Sequence, residues 1–144
     1  MKIAAALSLL LASMFPISTV LADSIPSGQE IQAKAEQNTK IIDTATLKQR
    51  LNDEPDLILI DIRTKDEINR MGGAIAVPQN INIPRGWLEF RVQSAALEKD
   101  TPIVVYCGGG LRSPLAAETL QNMGYTNVSN YSEGYFGWKK SETQ

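Results

Sequence analysis

An α/β domain with a mostly parallel central sheet flanked by helices is the fold class that this sequence predicts. Three observations carry the expectation. Two continuous apolar runs of strand length, LILID at 57–61 and PIVVYC at 102–107, read as strands buried on both faces of a sheet. Segments with helical spacing alternate with these runs, and the connections between them are short. Sheets of this kind take ligands beyond the carboxyl ends of their strands, so the ends at Asp61 and Cys107 are where a site is expected.

In chain order, the first element is a leader. Lys2 precedes an apolar run from Ile3 to Phe15, and Val20-Leu21-Ala22 supplies small and apolar residues before Asp23. That layout predicts a secretory signal peptide over 1–22 with cleavage after Ala22. Pro16 breaks the run before it reaches the ~20 residues of a membrane span. The expected location is therefore periplasmic or otherwise secreted, with no membrane contact after cleavage. Of the 144 residues, 122 remain beyond position 22, enough for one compact core.

Residues 23–40 are polar and read as an N-terminal arm, a weak helix at most; residues 41–144 read as the domain. Ile41-Ile42 is a short apolar pair. Thr44 is the expected cap of a helix that Pro55 closes. After the 57–61 strand come a charged helix at 65–71, an irregular connection GGAIAVPQN, and a brief strand at 81–83. An amphipathic helix is expected over 86–97, with Leu88, Val92 and Ala95–Ala96 near one face. The 102–107 strand leads into a helix from Ser113 to Met123, which Gly124 stops. NVSNY is the last strand and GYFGWKK a terminal helical turn.

Composition removes several function classes. Net charge is −2 and no basic block is present, so nucleic acid is not an expected partner. The chain has no histidine and one cysteine, which leaves neither a His-dependent triad nor a Cys- or His-rich metal site. No metal or cofactor is expected. In an exported protein cysteines usually pair, so the odd thiol, Cys107, points to reactivity.

The residues after Cys107 give that reactivity a form. Gly108, Gly109 and Gly110 let the backbone curl tightly with its N–H groups inward, which makes an anion-binding nest. The following helix adds the positive end of its dipole, and a sulfur at the centre of such a ring is stabilised as the nucleophilic thiolate. Leu111 completes the loop, Arg112 offers a planar cationic fork suited to an oxyanion, and Ser113-Pro114 opens the helix. A phosphate-binding loop would need Lys-Ser or Lys-Thr after the glycines, and none follows.

Strand, cysteine, glycine loop, arginine and helix, preceded by LILIDIRTKDEI and followed by VSNYSEGYFGWKK, resemble a rhodanese, a family of sulfurtransferases. The resemblance runs from about Ile42 to Lys140 and includes Asp61, Ile62, Arg63 and Glu67, the segment INIP at 81–84, and Gly134, Gly137 and Trp138. It implies a three-layer domain and sulfur transfer through a Cys107 persulfide. A small anionic sulfur donor such as thiosulfate would load the cysteine, and cyanide or a thiol would unload it. Gly108 to Arg112 and Arg63 are the implied substrate contacts, with Asp61 and Ser113 in support.

Related phosphatases and arsenate reductases carry one more residue between cysteine and arginine; the shorter loop here suits a terminal sulfur. Besides a related-fold phosphatase or reductase, the alternatives are a persulfide carrier with little turnover that serves a partner protein, and a redox partner forming mixed disulfides. Asp61 and Arg63 have two readings, a substrate contact or an ion pair fixing the strand end. Asp66 and Glu67 are expected to be dipole partners and solvated charges in a first helical turn. Trp87 and Phe90 are expected to be core, the other reading being that they rim a pocket with Arg85 and Arg91. The family's Gly-His-Ile segment is replaced here by RMGGAIAVPQN.

Overall fold

The computed structural model describes residues 24–143, so the expected signal peptide lies outside the described residues. The elements are α1 (Gly28–Asn38), β1 (Lys40–Ile42), α2 (Thr44–Asp53), β2 (Ile58–Asp61), α3 (Lys65–Met71), β3 (Asn80–Asn82), α4 (Leu88–Arg91), β4 (Ile103–Tyr106), α5 (Ser113–Asn122), β5 (Val128–Tyr131) and α6 (Gly134–Glu142). The strands form one sheet in the order β1-β5-β4-β2-β3, and each neighbouring pair is parallel.

Two apolar layers enclose the sheet. Ile60, Val105 and Val128 pack against Leu88 and Val92 of the α4 region and against Ala116, Ala117 and Leu120 of α5. On the other face Leu59, Val104 and Tyr131 pack with Leu47 of α2, Met71 of α3 and Tyr135 and Trp138 around α6. Strands β2 and β4 show no polar residue before their last position because both faces are covered. Chain connections leave β2 toward β3 and β4 toward β5, in opposite directions across the sheet. Their carboxyl ends therefore frame a topological switch point, where open α/β sheets hold ligands.

Several local expectations change. The 24–39 stretch carries an ordered helix: Ser27 caps it and Glu30 returns the bond to the Ser27 backbone, a reciprocal capping box. The cap of α2 is Asp43, whose carboxylate accepts from the Thr46 N–H at 2.8 Å; Thr44 is the first helical residue. The single helix expected over 86–97 is broken into a 3₁₀ turn at Arg85–Trp87, the short α4 and a second 3₁₀ turn at Val92–Ser94. Ser94 donates its hydroxyl to the Arg91 carbonyl at 2.7 Å, competing with helical pairing at that turn. Leu88, Val92 and Ala96 still face the core, so the apolar periodicity is kept although the helix is not. Trp87 and Phe90 are exposed rather than core, resting edge-to-face with Arg91 over the Trp87 ring.

Candidate active site

Strand β4 delivers Cys107 to the switch point with its side chain only 1% exposed. The loop behind it is shaped by α6. The N–H groups of Tyr135 and Phe136 donate to the carbonyls of Cys107 and Gly108 at 2.9 and 3.0 Å. In a trans peptide the N–H opposes the C=O, so the amides of Gly108 and Gly109 are turned away from α6. None of the amides from Gly108 to Arg112 has a backbone acceptor among the described residues. A run of unpartnered donors beside a buried sulfur is an arrangement that accepts negative charge.

Glycine is required at two positions, where a positive φ and a close backbone neighbour act together. Gly110 has φ +82°, and a Cβ there would lie 2.0 Å from the Ser132 carbonyl oxygen. Gly134, at φ +60°, would put a Cβ 2.6 Å from the Cys107 oxygen, closing the space that the loop occupies. Gly108 and Gly109 have ordinary backbone conformations, but Phe136 covers both and Met71 abuts Gly108. Ser113, fully buried at the start of α5, sits with its Oγ 3.8 Å from the Cys107 sulfur, within hydrogen-bond reach. Leu111 points outward and is 65% exposed, so any contact it makes with a bound group is from the rim.

Arg112 is engaged. Its two terminal nitrogens donate to Glu67 at 2.6 and 3.2 Å, and Glu67 also accepts from the Thr64 N–H at 2.9 Å. Hydrogen bonds from Arg112 and then from Thr64 pull the Glu67 carboxyl down to about 2. Glu67 in turn holds the Arg112 guanidinium above its ordinary value, and the neighbouring Cys107 sulfur adds to this. Glu67 is thus a site residue, not the solvated charge expected from its place in a first turn. Its T-x-x-E spacing signals the cap of α3 but not the partner 45 positions away.

Arg63 takes the second of its two readings, an ion pair at the strand end. It does not line the site: both Arg63 and Asp61 are wholly buried, and the guanidinium meets Asp61 at 2.9 and 2.5 Å and the Gly73 carbonyl at 3.0 Å. Burial alone would lower its pKa, but the hydrogen bonds and charge of Asp61 outweigh that and raise it. The rings of Tyr135 and Tyr106 lie 4.3 and 5.7 Å from its centre, both within cation–π range. Asp61 and Arg63 form a buried pair, and Arg63 reaches Met71, a neighbour of Gly108, whose sulfur lies 3.4 Å from Arg63 Nη1. Among the described residues no group of three or more His, Cys, Asp or Glu side chains is placed to hold a metal ion.

Comparison with known proteins agrees with this architecture. The rhodanese-like domain family model matches residues 43–141. A sulfurtransferase of Allochromatium vinosum is 34% identical over 99 residues, covering 69% of this chain and 87% of that protein. Among solved structures, a protein of unknown function from Rhodopseudomonas palustris, described as a possible tyrosine phosphatase, aligns with a TM-score of 0.71 at 29% identity. That alignment covers 81% of this chain and 92% of the other. The polysulfide-sulfur transferase homodimer of Wolinella succinogenes aligns with a TM-score of 0.66 at 26% identity, over 78% and 81% of the two chains. With its parallel sheet, its cysteine loop at the switch point and a family match across the whole domain, the chain belongs to the rhodanese-like family and, in general activity, to its sulfurtransferases.

Proposed function

We propose that the protein transfers a sulfane sulfur through a persulfide on Cys107. The observation that carries this reading is the run of unpartnered amides from Gly108 to Arg112 next to a single buried cysteine. In the first half-reaction the Cys107 thiolate attacks the outer sulfur of a donor such as thiosulfate. The donor S–S bond breaks with its electron pair leaving on sulfite, and Cys107 keeps the transferred sulfur. In the second, cyanide or a thiol attacks that outer sulfur and the thiolate is regenerated. Donors fixed in advance around the persulfide stabilise its charge without reorganisation at the moment of reaction. Ser113 positions the sulfur, while the Glu67–Arg112 pair ties the loop to α3.

Intact mass of the reduced protein tests this. Wild type should gain one sulfur from thiosulfate and lose it to cyanide as thiocyanate, whereas Cys107→Ser should gain none. Failure of the reduced wild type to take sulfur from thiosulfate or any persulfide would refute the reading. A persulfide that forms but passes only to a protein thiol would identify a carrier. The apolar leader supports export, and a mature N-terminus at Asp23 on the secreted protein would establish it.

A further inference from the structure

Two exposed apolar side chains border the cysteine loop, and its one charged residue is already matched. Between Cys107 and Ser113 the only charged residue is Arg112, and Glu67 occupies both of its terminal nitrogens. A doubly charged oxyanion entering here meets a pair that is neutral overall. Beside that pair, the other exposed side chains at the loop are hydrocarbon. Phe136, 55% exposed, is held above the loop by its own N–H bond to the Gly108 carbonyl. A methyl group on Gly109 would touch its ring at 3.5 Å, so the ring lies in van der Waals range of the loop backbone. Leu111 adds a second exposed apolar side chain on the same loop, and the Met71 thioether borders Gly108. Lys139, a turn beyond Phe136 on α6, packs its Nζ toward Gly72 at the carbonyl end of α3.

We propose that the preferred donor is an organic persulfide with an apolar carbon end, which packs on Phe136 and Leu111, rather than a small dianion such as thiosulfate. This rests on the persulfide reading of Cys107 and names the substrate class that the same site selects. The step balances without an outside oxidant or reductant. The Cys107 thiolate attacks the outer sulfur of R–S–S–H, a new S–S bond forms, and the old S–S bond breaks with its electron pair on the departing R–S⁻. The species attacked is the neutral hydropersulfide, and its proton stays on the transferred sulfur as Cys107–S–S–H or passes to solvent once the transfer is complete. Unpartnered loop amides then hold the persulfide anion, a task that needs no free cation.

The test compares loading of Cys107 by benzyl persulfide and by thiosulfate, followed by intact mass under anaerobic conditions. Wild type is compared with Phe136→Gln and Leu111→Gln, uncharged polar replacements at two exposed positions. The readout is the change from wild type to variant in the ratio of the two second-order loading constants, in which intrinsic donor reactivity cancels. Each glutamine should lower that ratio toward thiosulfate, Phe136→Gln by at least about tenfold, equivalent to about 1.4 kcal/mol. Ratios within about twofold of wild type in both variants would overturn the proposal. So would a wild type that loads from thiosulfate but not from benzyl persulfide, although sulfur transfer itself would then stand. Loading from neither donor would instead remove the persulfide reading beneath it.

Discussion

Replacing Asp61 with alanine should strand a cation inside the protein. Arg63 and Asp61 are both inaccessible to solvent, and the carboxylate takes the guanidinium through Nε at 2.9 Å and Nη2 at 2.5 Å. Removing one partner of a buried pair costs about 3–5 kcal/mol, because the remaining charge keeps its desolvation penalty and loses its compensation. Some compensation survives here. The Gly73 carbonyl at 3.0 Å and the Tyr135 ring at 4.3 Å still face the guanidinium, and the ring contact retains about 1 kcal/mol. The expected loss is therefore at the lower end, about 3 kcal/mol. With a urea slope of about 1.5 kcal/mol per molar, the unfolding midpoint should fall by about 2 M. Fluorescence of Trp87 and Trp138 during urea titration reads this directly. Substituting both residues, Asp61→Ala with Arg63→Met, should recover most of the loss, since no charge is then buried unpaired. A loss below about 1 kcal/mol in the single variant, or a double variant no more stable than the single, would refute this account of the pair.

Two further perturbations address the loop. Glu67 has a carboxyl near 2 in the folded protein against an ordinary 4.5, so its contribution is complete above the higher value and disappears as pH falls toward the lower. Relative to Glu67→Gln, wild type should be more stable by about 1 kcal/mol at pH 7, a figure kept small because the Arg112 side chain is 42% exposed. Titrating both proteins thermally from pH 6 to pH 2 should show that difference shrinking, and a constant gap would contradict the pair's role. Gly110→Ala places a methyl group 2.0 Å from the Ser132 carbonyl at a positive φ, so loop strain and clash together should cost at least about 2 kcal/mol. It should also cut persulfide formation by more than about tenfold, whereas Gly86→Ala, with open space around it, should do neither. Urea midpoints and intact mass measure the two effects.

Legibility tracked sequence distance. Both central strands were readable because burial on two faces leaves an uninterrupted apolar run, a signal contained in adjacent residues. The cysteine loop was readable for the same reason, since the nucleophile, the glycines, Arg112 and Ser113 are contiguous. Arg63 was less legible: following a strand end, it reads either as a substrate contact or as an ion pair, and whether its side chain turns outward or toward the core depends on what is packed beneath it. Tyr106 and Tyr135, from β4 and α6, supply a buried aromatic slot, and Asp61 supplies the countercharge. The broken 86–97 segment shows the complementary case: apolar spacing set which side chains face inward but not the backbone path between them.

By itself the sequence determined the parallel α/β architecture, the position of the lone cysteine at a strand end and the glycine loop that follows it. These follow from local patterns: apolar continuity, helix spacing, and glycines where a side chain would not fit. Only the tertiary structure decided what surrounds the sulfur. It brought Glu67 to Arg112 across 45 positions, laid Phe136 over Gly108 and Gly109 from the far end of the chain, and withdrew Arg63 into the core. Charge matching and apolar contact depend on distance in space, and residues far apart in sequence acquire that distance only when the sheet is assembled.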